Sequence, residues 1–429
     1  MIKLLRDIFA NKDIRGRILF TLGIFFIYRL GAAIPAPMVD TDALLAGIGD
    51  DSFFGMLNLL GGGALQEFSI FAMGIGPYIT SSIIIQLLAM DVIPALTEMA
   101  KSGAQGKMKM DRITRYLTLA LAFLQSFTMT YAFDISYGIL ANANVATYLY
   151  VSTILTAGTM FLMWLGDRIS QHGIGNGISM IIFAGIVSNI PFQFTQAFQT
   201  LVDTSSNAAM FGGILNFALF VAMYVAIIIL VIFMQTAVRK IPIQYTSSSM
   251  RKSKAEITYL PLKINSASVI PVIFASAVMT APITVMSFFN QGEFYQRLSE
   301  ILNFTQPLGL TLYIVLIIFF TFFYTNMQID PSKISENLGK SGTYIPGIRP
   351  GNETKEYVFK VLNRITVLGA IFLSFIAALP YVLPMLSNLP TSISVGGTGI
   401  IIVVGVAMET MKDIQGRLTQ KQYRGFVNR

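Results

Sequence analysis

The sequence predicts an all-α polytopic membrane protein: ten transmembrane helices, divisible into two five-helix halves, with both termini in the cytoplasm. Three observations predict it. Only 12% of the 429 residues are charged and 54% are apolar, against about 25% charged in a soluble domain. Most of the surface therefore faces something other than water. The apolar residues gather into runs of bilayer length. Finally, 28 of the 30 Lys and Arg residues fall into six clusters that alternate with nearly base-free loops. Short loops rich in Lys and Arg stay in the cytoplasm during insertion, whereas Asp and Glu count for little.

The elements follow in order. Residues 1–17 hold Lys3, Arg6, Lys12, Arg15 and Arg17 and are placed inside. The stretch MIKLLRDIFANKDIRGR is too polar and too long for an ordinary signal peptide. The first apolar run, 18–36, ends in AAIPAP, so it reads as a retained span. A bilayer core about 30 Å thick takes roughly 20 apolar residues of helix. Further runs of that size lie near 70–90, 113–133, 147–166, 176–191, 211–236, 267–288, 306–326, 362–384 and 395–412.

The connecting loops alternate in charge. Loop 37–69 has five acids and no base and is placed outside; loop 91–115 carries Lys101, Lys107, Lys109, Arg112 and Arg115 and is placed inside. Loops 134–146 and 192–210 hold only Asp134 and Asp203, while 167–175 between them holds Arg168. The two long inner loops are 237–266 and 327–361, and the basic tail lies with them. Arg297 in loop 289–305 and Arg29 in the first span are the exceptions, and Arg29 is expected to snorkel to the outer head groups. Five spans per half is an odd number, so the halves, 1–191 and 192–429, would have opposite topology, as in many transport folds.

The inner segments carry 28 basic and 13 acidic residues, net +15, and the remainder 2 and 9, net −7. Such a face suits anionic lipid head groups. It also suits a partner rich in phosphate or carboxylate, such as a ribosome or an acidic motor protein. Because the bases are segregated by membrane side, the charge does not imply nucleic-acid chemistry by the chain itself.

Composition also excludes several chemistries. The chain has no Cys, hence no disulfide or thiol nucleophile, and a single histidine, His172, where a His-Glu-x-x-His zinc site needs two. No Asp, Glu, Lys or His sits mid-span, which argues against an ion-coupled transporter and an intramembrane protease. There is no P-loop, so any driving energy comes from outside. No enzyme activity, cofactor or metal is expected. A secondary transporter of a small solute is the alternative reading.

Three segments stand out. In DSFFGMLNLLGGGALQEFSIFAMGIGPYITSSIIIQLLAM, residues 51–90, the part 53–66 is apolar but only about 21 Å long as a helix. Its three adjacent glycines each cost a helix about 1 kcal/mol relative to Ala. It reads as a half-inserted piece inside the protein, either a structural re-entrant loop or a movable one. In GDRISQHGIGNGISMIIFAGIVSNIP, residues 166–191, GIGNG is a tight turn into a helix, not a dinucleotide fingerprint, because no strand precedes it. Ile178 and Ile182 lie four apart on one face, as do Ile75 and Ile79, a spacing that packing or lipid contact alone explains. In KISENLGKSGTYIPGIRPGNETKEY, Pro-Gly pairs flank Arg349. Such turns fix a loop's shape, leaving Arg349 either a solvated tip or a partner contact. The polar residues within spans, including Gln86, Gln125 and Asn265, can bond between helices for well under about 2 kcal/mol each.

Together these segments resemble the SecY family, the channel subunits of the bacterial protein-conducting translocon. The resemblance covers essentially the whole chain through SIFAMGIGPYITSSIIIQLL, GTMFLMWLGDRISQHGIGNGISMIIFAGIV, LPLKINSASVIPVIFASAV, NLGKSGTYIPGIRPG and GGTGIIIVVGV. It implies two halves closing as a clamshell on an hourglass pore in the bacterial cytoplasmic membrane. It implies a waist of Ile75, Ile79, Ile178, Ile182, Ile273 and Ile402. The plug would be the short piece about 53–66, with Leu57, Asn58, Leu59, Leu60, Gly61, Gly62, Gly63, Ala64 and Leu65 at its heart. A lateral gate would lie between spans 70–90 and 113–133 and spans 267–288 and 306–326, with Gln86 and Gln125 as its polar residues. The inner-loop bases Arg239, Lys240, Arg251, Lys252, Lys254, Lys263 and Arg349 would meet the ribosome or the SecA motor. Implied partners are SecE, SecG, signal sequences, nascent polypeptides and anionic lipids.

Overall fold

The structure, a computed structural model, describes residues 6, 10–41, 44, 63–65, 67–90, 92–202, 207–245, 258–286, 293–304, 306–387 and 396–427. The helices are α1 Lys12–Ala32, α2 Gly76–Leu88, α3 Pro94–Lys101, α4 Gly103–Tyr137, α5 Val145–His172, α6 Gly177–Leu201, α7 Asn207–Thr236, α8 Ile270–Met286, α9 Glu293–Leu302, α10 Pro307–Gln328, α11 Pro331–Lys340, α12 Asn352–Ser387 and α13 Gly396–Val427. Strands β1 Val238–Tyr245 and β2 Thr258–Lys263 follow α7, and β3 Thr343–Tyr344 follows α11.

A helix overlaps each of the ten predicted positions. Among the described residues six helices are long and apolar enough to cross a membrane: α4, α5, α6, α7, α10 and α12. Helices α2 and α8 are apolar but shorter. The chain is therefore a mostly helical, multi-pass membrane protein.

Two expectations are corrected. The helix predicted over 70–90 begins only at Gly76, and residues 70–75 are turns. Helix α2, 13 residues, is about 20 Å long, too short for the bilayer on its own. Turns at this depth are tolerated because they are enclosed by protein. Ser69, Phe71, Ala72 and Ile75 are all buried, and the Ile70 N–H donates to the Ile34 carbonyl at 3.0 Å. Gly31 of α1 and Gly158 of α5 leave space for this segment: a methyl on the first would run into the Phe71 ring, and on the second into the Ile70 carbonyl.

The second correction concerns the all-α class. The two long basic loops carry a three-stranded sheet of order β2-β1-β3. Strand β1 pairs antiparallel with β2, with Ile241 opposite Leu260, and with β3 through Gln244–Tyr344 and Tyr245–Thr343. The Tyr344 hydroxyl donates to Gln244 Oε1 at 3.1 Å, joining positions 100 residues apart. Ile241, Ile243, Leu262, Leu338, Ile345, Val358 and Leu362 close a small core under this sheet, against α11 and the start of α12. The signal in the sequence was period-two alternation, Ile241/Ile243 and Leu260/Leu262, which marks strands with one buried face.

The helices pack in neighbour chains. One runs α2, α4, α5, with α1 and α6 against α5; the other runs α8, α10, α12, α13, with α7 against α13. The two chains meet on one side where α8 packs on α2 and α4, and on the other where α6 packs on α13 and α7.

Candidate functional site: the apolar waist and the basic end

All six isoleucines singled out from the motifs fall into one large hydrophobic cluster. Ile75 and Ile79 open α2, Ile178 and Ile182 open α6, Ile273 lies in α8 and Ile402 in α13. Ile75, Ile182 and Ile402 are buried, while Ile79, Ile178 and Ile273 are half-buried against the same cluster. Ile178 also leans towards α5, where its Cδ1 would lie 2.8 Å from a Cβ built on Gly166. Among the described residues no group of His, Cys, Asp and Glu could hold a metal ion. The six isoleucine side chains themselves offer no donor, acceptor or charge.

Of the segment named as plug, about 53–66, residues 53–62 and 66 lie outside the described residues. Gly63 has φ +86°, a left-handed conformation that glycine adopts without steric cost. Ala64 and Leu65 are fully buried and join two different cores: Ala64 the central one, Leu65 a second one with Phe68, Phe133, Ile139 and Tyr148.

At the seam of α8 with α2 and α4, Gln86 donates to Ser82 Oγ at 2.9 Å along its own helix, not across to another. Its Oε1 is buried without a hydrogen-bond partner. Gln125 is half-buried on α4. Asn265 likewise bonds locally, to the Ser268 carbonyl at 3.1 Å.

The basic end is built, not loose. Arg239 and Lys240 on β1 and Lys263 on β2 are exposed, and Lys240 Nζ stands 6.0 Å from the Tyr259 ring centre. Arg251, Lys252 and Lys254 lie outside the described residues. Arg349 projects with its side chain 87% exposed, 3.9 Å from Glu353. Its own N–H donates to the Glu353 carboxylate at 3.3 Å, and its carbonyl accepts from Thr354 Oγ1 at 2.8 Å. The backbone of the turn is thus held while the guanidinium stays in water.

The GIGNG turn belongs to this end. Asn176 caps α6 by accepting from the Ile178 and Ser179 N–H groups at 3.1 and 3.4 Å. Arg17 donates to the Gln171 and Gly173 carbonyls at 3.4 and 3.3 Å. The Gly175 N–H donates to Asp413, and Lys412 Nζ donates to the Gln235 carbonyl at 3.1 Å, closing the end of α7. Asp413 and Arg17 were not singled out in the sequence, because nothing in their local pattern marks them.

Fold and site together define a multi-pass helical membrane protein with an extended apolar core and a folded, exposed basic sheet. Comparison with known proteins is specific. A family model described as SecY matches residues 69–411. The protein translocase subunits SecY of Bacillus licheniformis and Bacillus subtilis are each 46% identical, over 100% of both chains. A solved structure described as a protein-conducting channel superposes with TM-score 0.70 at 18% identity, covering 94% of this chain and 92% of that one. Sec61 in a canine ribosome–channel complex does so with TM-score 0.65 at 18% identity, with the same coverage. The chain belongs to the SecY family.

Proposed function

We propose that the chain is the pore subunit of the general secretory translocon of the bacterial cytoplasmic membrane. It passes unfolded polypeptides across the membrane and releases hydrophobic segments sideways into lipid. The observation that carries this is the isoleucine cluster. It draws on four helices, contains no charge, and offers a passing peptide no specific bond, which suits a conduit for many sequences. A small-solute transporter would need a polar binding site at this depth, and the six isoleucines supply none.

In this reading ten helices cross the membrane, with both termini and the basic sheet in the cytoplasm. Residues 1–191 and 192–429 are the halves, and the six isoleucines form the waist. Residues 57–65 contribute to the plug. The lateral gate lies between α2 and α4 on one side and α8 and α10 on the other, with Gln86 and Gln125 its polar residues. An entering apolar helix gains free energy by leaving the aqueous pore for lipid, which opens that seam. The exposed bases, Arg239, Lys240, Lys263 and Arg349 together with Arg251, Lys252 and Lys254, receive SecA or the ribosome. SecE and SecG are the expected membrane subunits.

The test is reconstitution in sealed vesicles with those subunits. Motor-driven transit of an unfolded precursor is expected. Uptake of a small solute at high turnover, without precursor transit, would overturn the reading.

A further inference from the structure

Strand β2 ends at Lys263 and α8 begins at Ile270, so residues 264–269 join the basic sheet to the helix that carries Ile273. They are held at both ends. The Ile264 N–H donates to the Ala237 carbonyl at 3.0 Å, continuing the β1–β2 ladder past its end pair, Val238–Lys263. The Ile264 carbonyl lies 2.8 Å from where a Cβ would stand on Gly369 of α12, and Val269 Cγ1 lies 2.5 Å from the same place on Gly405 of α13. Each glycine leaves the room that this turn occupies. Between those ends Asn265 and Ala267 are 4% and 0% exposed, and Asn265 Nδ2 donates to the Ser268 carbonyl at 3.1 Å, closing the turn.

This order is costly. Ser268 has φ +56°, a left-handed conformation uncommon for any residue but glycine. Asn265 Oδ1 is buried with no hydrogen-bond partner among the described residues, a penalty that an apolar side chain would avoid. Such costs persist only where the surroundings over-determine a conformation, and they gather where its shape is used. The waist is close by. The Val269 carbonyl accepts from the Ile273 N–H at 3.3 Å, and Gly405 stands one helical turn past Ile402 on α13. We propose that residues 264–269 position the waist. Through Val269 and Gly405 they set Ile273 against Ile402, and because they run directly out of the sheet, that setting depends on what occupies the basic surface. Asn265 is the positioning residue. The inference rests on the waist and partner-surface readings and deepens them by naming the residues that join the two.

Coupling between two sites is reciprocal: if a partner on the sheet widens the waist, widening the waist strengthens that partner's binding by the same factor. Ile402→Asn supplies the widening, and non-translating ribosomes are the probe, titrated onto channels in vesicles with their membrane subunits. Ile402→Asn is expected to tighten ribosome binding about five-fold or more, and by less than about two-fold when Asn265→Ala is also present. Val269→Ala, which withdraws the side chain from Gly405 and leaves the Asn265 turn, should remove the effect likewise, and it replaces Asn265→Ala if that protein does not elute as a folded species. Ser268→Gly, which accepts φ +56° without strain, should keep the effect. Equal tightening in the Asn265→Ala and Val269→Ala channels would overturn the inference. So would an Ile402→Asn channel that conducts ions more freely yet binds ribosomes no more tightly. Two other results remove the readings beneath the inference, and the inference with them. Ribosomes that bind none of these channels remove the partner surface, and Ile402→Asn without raised conductance removes the waist.

Discussion

The Gly175 N–H donates to Asp413 Oδ2 at 3.2 Å, tying the turn between α5 and α6 to the last helix. The same oxygen accepts from Arg417 Nε at 3.0 Å. Both charged side chains are more than a third exposed, so the ion pair itself contributes below about 1 kcal/mol. The charge-assisted bond to the backbone contributes about 1–2 kcal/mol more. Asp413→Ala is expected to lower the unfolding midpoint of the purified protein by a few degrees, and Asp413→Asn, which keeps an acceptor, by less. Equal midpoints for all three proteins would show that the tie contributes nothing.

Gly158 admits the Ile70 carbonyl where a side chain would otherwise stand. The obstacle is backbone, which cannot rotate away. Gly158→Ala should therefore cost about 3 kcal/mol, at the upper end of overpacking penalties. The yield of folded protein should fall sharply, measured by gel filtration in detergent. A normal elution profile and midpoint would mean that α5 shifts freely.

Ile241 is 1% exposed beneath the sheet. Ile241→Ala should cost the small core about 2–4 kcal/mol while leaving the membrane helices assembled. The expected result is faster proteolysis in loops 237–266 and 327–361 and slower motor-driven transit. Protection equal to the unsubstituted protein would show that the sheet does not depend on this core.

Arg349 is held by its backbone, and its exposed guanidinium stands 3.9 Å from Glu353. Arg349→Glu should abolish SecA-driven transit by reversing the charge, with assembly unchanged because the side chain packs on nothing but Glu353. Normal transit rates would take Arg349 off the contact surface.

Ile402 is 3% exposed in the central cluster. Ile402→Asn places an amide there and should wet the waist. Resting ion conductance should rise, and precursors with weakened signal sequences should pass more readily. An unchanged seal together with unchanged signal stringency would count against the waist.

Helix positions were legible because each depends on nearby residues alone. The run 147–166 became α5, Val145–His172, and 211–236 became α7, Asn207–Thr236. Residues 70–75 misled for a specific reason: SIFAMG is as apolar as a helix would be, and only Gly31 and Gly158, each on another helix, make room for it as turns. The isoleucines were chosen by motif and do share one cluster, yet the lean of Ile178 towards Gly166 had no local sign. Gln86 bonding to Ser82 rather than across the seam was equally invisible, since spacing alone permits either.

By itself the sequence determined that this chain lives in a membrane, where its helices run, and which loops are basic. Those properties follow from composition and from short-range patterns of apolar and charged residues. The tertiary structure alone decided that two basic loops 100 residues apart form one sheet, that Asp413 closes the Gly175 turn, and that Gly158 makes room for the Ile70 carbonyl. Each of these is a contact between residues distant in the chain. Their geometry is set by how whole helices pack, and no local pattern encodes it.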